Sequence, residues 1–198
     1  FLSDLAMEMG IWILAAGVFV RSQQSKMVRN ASFLFDDHGT GVCRYDKIHL
    51  FNVNLSNGEH YSESRYTEPG TAIVTQDTPV GTCGLTNCYD VRFPSLYKKL
   101  AENGASWFVV PSAFAYTTGK DHWEVLLRAR AIENHAYVVA PAQWGHHPGD
   151  RQTYGHSMIV DPWGQIIACQ TKGNGVIYGE IEIDRVNSIR RRFMNLQI

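Results

Sequence analysis

Apolar positions near the middle of the chain predict a strand, a helix and a second strand in succession. Gly84–Thr86 has the pattern of a buried strand, and Pro94 fits the first position of a helix because its missing N–H is not needed there. Leu96 and Leu100 are four residues apart and give this helix one apolar face. Trp107–Val110 is the next apolar run. The segment therefore predicts a β–α–β unit.

The same kinds of pattern predict the elements in the rest of the chain. Helical spacing of apolar residues predicts three further helices, at Leu2–Met9, Asp121–Asn134 and Arg185–Arg192. Alternation or short apolar runs between turn residues predict strands at Ile11–Ala16 (short and buried), Ala31–Phe35, Gly41–Tyr45, Tyr137–Ala140, Met158–Val160, Ile166–Cys169 and Val176–Ile183. The turns after Phe35 and after Val160 predict that Ala31–Phe35 forms a hairpin with Gly41–Tyr45, and Met158–Val160 with Ile166–Cys169. Phe51–Gly70 lacks periodicity and predicts a long surface loop.

Composition limits the class of protein. The chain has 198 residues, 44% of them hydrophobic, and a net charge of 18 − 19 = −1. With no internal repeat, low-complexity tract or linker, this predicts one α/β domain over residues 1–198. No basic block of the kind that binds nucleic acid is present, since Arg190-Arg191-Arg192 fits a solvated helix end. The apolar runs are too short to span a bilayer. We therefore expect neither nucleic acid nor membrane as a partner.

Four widely spaced cysteines indicate free thiols in a reducing compartment, because no CxxC pair is present. Cys88 follows the first strand of the β–α–β unit, near the edge where α/β sheets place their ligands. A thiol at such a turn has backbone N–H groups nearby, and these favour the thiolate. Cys43, Cys83 and Cys169 are predicted to be small buried hydrophobic residues.

Four stretches in order along the chain resemble the nitrilase superfamily of carbon–nitrogen hydrolases. They are "YDKIHLFNV", "CYDVRFPSLY", "HWEVLLRARAIENHAYVVAPAQWG" and "YGHSMIVDPWG". Among the branches of this superfamily, the chain is similar to the Nit proteins related to the Nit half of NitFhit fusions. "PSAF", "RARAIEN" and "YGHSM" carry this similarity. The resemblance implies an α-β-β-α sandwich that here lacks its first elements.

The resemblance also implies which residues are functional. Cys88 matches the nucleophile, Lys47 the catalytic lysine, and Glu124 the supporting glutamate. The backbone N–H of Tyr89 and the ammonium of Lys47 would contact the oxyanion of the tetrahedral intermediate. The family's first glutamate would lie before Phe1, so the chain is expected to be a fragment without the N-terminal part of the domain. Another departure is Ser95, where the related motif usually has glutamate.

The residue types alone leave other interpretations open for these positions. A cysteine at a strand end is usually part of the core, and a lysine such as Lys47 is usually solvated. Glu124 is spaced to form an ion pair with Arg128 one helical turn later. Asp90 and Arg92 could form an ion pair or contact the substrate. Tyr116 and Thr117 could line a pocket or belong to a plain loop. Four histidines could form hydrogen bonds or bind a metal, namely His122, His146, His147 and His156. The histidine spacing fits no standard zinc pattern.

The resemblance implies a thiol-dependent amidase without metal or cofactor. Its expected substrate is a small linear amide of the deaminated-glutathione type, with ω-amidase or N-carbamoyl hydrolysis as alternatives. A truncated inactive product, or a pseudoenzyme that keeps only an interaction surface, is the alternative of another class. We expect a homo-oligomer in the complete protein, in the cytoplasm and with the mitochondrion as a second compartment.

Overall fold

A computed structural model describes residues 1–23, 26–54 and 58–193. The chain divides into two compact units, Phe1–Val74 and Thr75–Ile198. The assignment of the whole chain to one domain stays a prediction. Residues 55–57 of the predicted surface loop lie outside the described residues.

The first unit begins with a helix and a three-stranded antiparallel sheet. Its elements are α1 (Leu2–Met9), β1 (Ile13–Arg21), β2 (Val28–Phe35) and β3 (Gly41–Asp46), with the strands in the order β1-β2-β3. The predicted helix and the predicted hairpin of β2 and β3 are confirmed. The strand predicted as short and buried is instead a nine-residue edge strand that pairs with β2 alone, and several of its side chains are exposed.

Two short strands occupy part of the segment that was predicted to be a long surface loop. They are β4 (Asn52–Asn54) and β5 (His60–Ser62), which pair in antiparallel fashion. A 3₁₀ helix, Glu63–Arg65, follows directly. The prediction of a loop is therefore wrong for these residues, and the 3₁₀ helix begins with Glu63, whose carboxylate pairs with Lys47.

The second unit is built on a six-stranded mixed sheet. Its elements in chain order are β6 (Thr75–Thr78), β7 (Gly81–Leu85), α2 (Pro94–Glu102), β8 (Trp107–Val109), α3 (Tyr116–Asn134), β9 (Tyr137–Ala140), β10 (Trp144–His147), β11 (Arg151–Tyr154), β12 (Ser157–Val160), β13 (Ile166–Gln170) and α4 (Ile183–Arg192). The sheet order is β13-β12-β9-β8-β7-β6, and β10 pairs with β11 separately. Only β7, β8 and β9 are parallel neighbours in the six-stranded sheet. The predicted β–α–β unit is confirmed as β7, α2 and β8.

Helix α3 starts earlier than the sequence predicts, at Tyr116 rather than at Asp121. Its first turn is closed by the N–H of Gly119, which donates to the Ala115 carbonyl at 2.8 Å. A Cβ on Gly119 would lie only 2.4 Å from the Cβ of Tyr154, so this turn packs closely because the residue is glycine. Tertiary packing thus allows the helix to begin before the predicted start at Asp121.

The predicted strand Val176–Ile183 is not formed, since no strand is assigned between β13 and α4 in the part of the chain that the structure describes. The backbone at Gly179 packs against the side chains of Ile159 and Ile167. Val176 and Tyr178 are exposed. Alternation of apolar residues indicates a strand only where another strand is available for pairing.

The core of the second unit lies between its helices and sheet. Trp123, Tyr97, Phe108 and Leu127 are completely buried, and the rings of Tyr97 and Phe108 meet edge to face at 5.1 Å. This packing fixes α2 against β8. Among the described residues, no helix is long and apolar enough to cross a membrane.

The end of α3 predicts a pH dependence of stability. His135 ends this helix in the left-handed conformation, with its ring 4.6 Å from that of Phe193. Burial, together with the positive charge of Arg190, lowers the pKa of His135. The folded state therefore favours neutral imidazole, and its stabilising effect is fully present above the unfolded pKa of about 6.5 and lost as the pH falls towards the folded pKa.

We expect the melting temperature to fall on acidification more steeply in the wild type than in His135→Asn. Asparagine tolerates the left-handed conformation but does not titrate. Thermal unfolding between about pH 8 and about pH 5 covers the titration range of histidine. Identical pH profiles for the two proteins would contradict a role for His135.

Candidate active site

Cys88 lies where the parallel pairing of β7 and β8 ends. Beyond the end of β7, the N–H of Thr86 donates at 3.2 Å to the carbonyl of Val109, the last residue of β8. The N–H of Cys88 donates to the Pro111 carbonyl at 2.9 Å. These bonds continue the parallel register for one more step. The structure thus places Cys88 at the carboxyl edge of the parallel strands, where α/β sheets bind ligands.

The backbone of Cys88 is unusual, because its φ of 50° lies in the left-handed region. A non-glycine residue there costs roughly 1–2 kcal/mol relative to ordinary backbone. Such conformations persist only where surrounding contacts enforce them, and they concentrate at functional sites. Cys88 also begins the 3₁₀ helix Cys88–Arg92, so the chain reverses at the thiol-bearing residue.

Buried polar contacts hold this 3₁₀ helix on the unit. The N–H of Asn87 donates to Oδ2 of Asp90 at 2.9 Å, and the Asn87 side chain accepts from the N–H of Asp90 in return. Nε of the buried Arg130 donates to the Val91 carbonyl at 2.8 Å. The hydroxyl of Thr86 donates to the Val109 carbonyl at 2.7 Å and contacts the Tyr97 hydroxyl at 2.9 Å. The turn around Cys88 is therefore fixed on both sides.

Arg92, at the end of the same 3₁₀ helix, lies among aromatic rings. Its guanidinium carbon is 5.9 Å from the ring centroid of Tyr89 and 5.3 Å from that of Phe114. One of its terminal nitrogens is 3.2 Å from Nδ1 of His122. Burial lowers the pKa of Arg92, although an arginine remains charged at physiological pH. Of the two interpretations offered for His122, the structure shows hydrogen bonding.

Lys47 in the first unit is not the solvated strand-end residue of the simpler interpretation. It directly follows β3, and its N–H donates to the Asn30 carbonyl at 2.9 Å. Its side chain is only 3% exposed, and Nζ lies 2.6 Å from Oε2 of Glu63. A buried ammonium needs such a partner, because an unpaired charge is costly to remove from water.

Glu63 is the functional candidate that the sequence analysis missed. Its carboxylate is 12% exposed and accepts hydrogen bonds from Lys47, from the N–H of Phe51 at 2.7 Å and from the Asn30 amide at 3.4 Å. Several acidic residues are present in the aperiodic segment that contains it, and neither spacing nor periodicity singles one out. Only the folded position of Lys47 identifies the partner.

Glu124 has different surroundings. It lies on α3 with its side chain 52% exposed, and Oε1 is 3.2 Å from a terminal nitrogen of Arg128. This is the helical ion pair that the simpler interpretation predicted. The supporting role of Glu124 stays a prediction, whereas Lys47 has a different carboxylate as its partner.

The remaining predicted site residues lie near the start of α3 and beside Cys88. Tyr116 is the first residue of α3, half-exposed and edge to face with Tyr154 at 5.9 Å, and Thr117 follows it in the first turn. Tyr89 follows Cys88 in the 3₁₀ helix, where its ring packs on Phe93 at 5.5 Å. A pocket role for Tyr116 and Thr117 and an oxyanion role for the Tyr89 N–H stay predictions.

The other cysteines differ in environment. Cys83 is buried as predicted, and Cys43 is partly buried, which raises the pKa of its thiol. Cys169 is exposed, contrary to the prediction, because it lies on the edge strand β13. The pKa of Cys169 is nevertheless raised, by local desolvation and by the charge of Glu124. Exposure alone therefore does not make this thiol reactive.

The other histidines have local contacts of their own. Nε2 of His147 is 2.7 Å from the Thr153 hydroxyl, and the ring of His156 stacks on Tyr154 at 3.8 Å. Over the ranges that the structure describes, His, Cys, Asp and Glu form no group of three or more suited to a metal ion.

Comparison with known proteins assigns the family. Residues 1–191 match the family model described as carbon-nitrogen hydrolase. The chain belongs to the carbon–nitrogen hydrolase family. This match confirms the predicted family, and the helices and the mixed six-stranded sheet of the described residues agree with the predicted α/β fold class.

Individual relatives agree with this assignment. The chain is 44% identical to the deaminated glutathione amidase of Synechocystis sp., over 100% of this chain and 74% of the relative. The crystal structure of the C. elegans NitFhit protein superposes with a TM-score of 0.87 at 36% identity, covering 98% of this chain and 48% of that one. Nit3 of Saccharomyces cerevisiae, a member of branch 10 of the nitrilase superfamily, has a TM-score of 0.84 at 33% identity, covering 100% of this chain and 69% of that one. The chain thus spans from 48% to 74% of the length of these proteins.

The contrast between the two glutamates gives a stability prediction. Glu63→Gln should lower the free energy of unfolding by about 3–5 kcal/mol, because it leaves the buried Lys47 ammonium without a countercharge. Glu124→Gln is the matched control and should cost less than about 0.5 kcal/mol, as for other exposed helical ion pairs. Urea unfolding of both variants and the wild type measures the difference. Equal losses would show that the Lys47–Glu63 pair is not needed for stability.

Proposed function

We propose that this protein is a thiol-dependent amidase that cleaves a small linear amide to a carboxylate and an amine, which is ammonia when the amide is primary. The observation that carries the proposal is Cys88 itself, held in a left-handed turn at the carboxyl edge of the parallel strands. A thiol in this position can attack a carbonyl carbon while backbone N–H groups of the turn lie close by. Membership of the carbon–nitrogen hydrolase family supports the same bond type.

The proposed reaction has two stages. The Cys88 thiolate attacks the amide carbonyl, a C–S bond forms, and the carbonyl oxygen becomes an oxyanion. Collapse of this tetrahedral species breaks the C–N bond, and the nitrogen takes up a proton and leaves as an amine, or as ammonia when the amide is primary. Water then attacks the thioester, which releases the carboxylate and regenerates the thiol.

Two groups are proposed to stabilise the oxyanion, the ammonium of Lys47 and the N–H of Tyr89. Charge placed in advance where negative charge develops is among the largest contributions to catalysis. Glu63 supports the Lys47 role, because its carboxylate fixes Nζ at 2.6 Å and compensates the buried charge. We assign the supporting role to Glu63 in preference to Glu124, whose side chain is half-exposed and paired with Arg128.

The proton for the leaving nitrogen requires a general acid. The family resemblance gives this task to a glutamate, and we assign it to none of the residues described above. Activity measurements therefore belong on the full-length protein.

Deaminated glutathione is the substrate we propose, from the names of relatives such as the Synechocystis protein. It carries carboxylates besides its amide, and Arg92 holds a permanent positive charge on the same 3₁₀ helix as Cys88. ω-Amidase and N-carbamoyl activities are the alternatives within the same chemistry. Cytoplasmic and mitochondrial locations and a homo-oligomeric state remain predictions from the resemblance.

Hydrolysis of deaminated glutathione and of α-ketoglutaramate, followed through the α-ketoglutarate that both substrates release, tests the proposal. We expect turnover of the first substrate to exceed that of the second, and to disappear in Cys88→Ala. Lys47→Arg should lower kcat by about 10²-fold, the scale for losing one oxyanion contact, because a planar guanidinium does not replace a compact ammonium. Lys98→Arg, at an exposed position of α2, is the matched control and should be unaffected. Near-normal kcat in Lys47→Arg would argue against the role of Lys47, and activity in Cys88→Ala against the amidase mechanism.

A further inference from the structure

Two buried polar residues enclose the nucleophile turn. Asn87 precedes Cys88 and is 4% exposed, whereas Asp90 lies two residues after Cys88 and is completely buried. Their bonds are reciprocal. The N–H of Asn87 donates to Oδ2 of Asp90 at 2.9 Å, and the N–H of Asp90 donates both to the Asn87 side chain and to the Asn87 carbonyl, the latter at 3.1 Å.

We propose that Asp90 is a positioning residue for the reaction, because its carboxylate holds the turn that presents the Cys88 thiol and the Tyr89 N–H. Cys88 and Tyr89 are the two residues that the reciprocal bonds enclose. They are also the residues to which the nucleophile and one oxyanion contact are assigned. The inference rests on the proposed function and adds to it the group that fixes both positions.

The conformation of Cys88 explains why such a clamp is needed. A left-handed backbone at a cysteine is unfavourable, and it reverts unless neighbouring contacts hold it. The bond from Cys88 to Pro111 anchors one side of the turn at the sheet edge. Without the Asp90 carboxylate, the Asn87 N–H loses its acceptor, and with it the hydrogen bond that connects the two ends of the turn around Cys88. The turn can then relax while the sheet remains intact.

A residue that contributes only to stability would change the melting temperature and not kcat. The chain contains a control residue for this comparison. Asp161 is 2% exposed and caps the turn between β12 and β13 in the same unit. Its Oδ1 accepts from the N–H of Trp163 at 2.9 Å and from that of Gln165 at 2.8 Å. Asp161→Ala removes a buried turn-capping carboxylate, which also pairs with Arg185, at a turn that does not contain Cys88.

The experiment compares Asp90→Ala, Asp90→Asn and Asp161→Ala in the full-length protein, with kcat, KM and melting temperature measured for each. Asp90→Ala should lower kcat by about 10²-fold, the scale for a small misplacement of reacting groups, with KM changed by less than about threefold. Asp90→Asn keeps one oxygen that can accept from Asn87, so its kcat should lie between those of Asp90→Ala and the wild type. Asp161→Ala should lower the melting temperature and leave kcat unchanged.

Asp90→Asn also covers the case in which Asp90→Ala does not fold, because asparagine has nearly the same shape as aspartate. Wild-type kcat in either folded Asp90 variant would overturn the proposal, and so would equal losses of kcat in Asp90→Ala and Asp161→Ala. Failure of the proposed function is seen separately, as hydrolysis of the substrate by Cys88→Ala. A loss confined to KM would assign Asp90 to substrate binding and would also overturn the positioning role.

Discussion

The parallel pairing of β7 with β8 ends at a turn that contains Cys88. The chemistry proposed for the thiol depends on the hydrogen bonds that fix this turn. The strand supplies one anchor through the bond from Cys88 to Pro111, and the reciprocal bonds of Asn87 and Asp90 supply the other. Arg130 fixes the middle of the 3₁₀ helix through the Val91 carbonyl. An unfavourable backbone conformation is thus maintained by contacts that lie almost entirely in the interior of the unit.

Charge burial imposes a comparable constraint in the first unit. Lys47 is removed from water directly after β3, and the fold must supply a carboxylate where the ammonium lies. Glu63 supplies it from the start of a 3₁₀ helix, and the N–H of Phe51 fixes the same carboxylate oxygen. The position of Nζ is therefore determined by three segments of chain. Such rigidity is what an oxyanion contact requires, because prearranged charge need not reorganise during the reaction.

The sequence predicts most elements whose causes are local. The β–α–β unit follows from a buried strand, from Pro94 at a helix start and from an apolar helix face, all within one short segment. The hairpin of β12 and β13 follows in the same way from its turn, where Asp161 accepts two backbone N–H groups. The family and the candidate nucleophile Cys88 could also be predicted from the sequence, because the motif around this residue is continuous.

Features that depend on distant contacts were not predicted. Helix α3 gains its first turn because Gly119 fits against Tyr154, which is 35 residues later in the numbering (154 − 119). Val176–Ile183 alternates like a strand but packs on side chains instead of pairing. Glu63 has no local signal, since its importance arises only when Lys47 is buried beside it. Sequence patterns report periodicity, whereas these features depend on which surfaces meet.

Detection of the covalent intermediate tests whether Cys88 carries the acyl group during turnover. The full-length protein is mixed with deaminated glutathione and quenched in acid during turnover, and its intact mass and proteolytic peptides are then measured. We expect one adduct with the mass of the acyl group, located on the peptide that contains Cys88 and lost when the substrate is exhausted. Turnover without any adduct on Cys88, or an adduct on Cys43 or Cys169 instead, would contradict it.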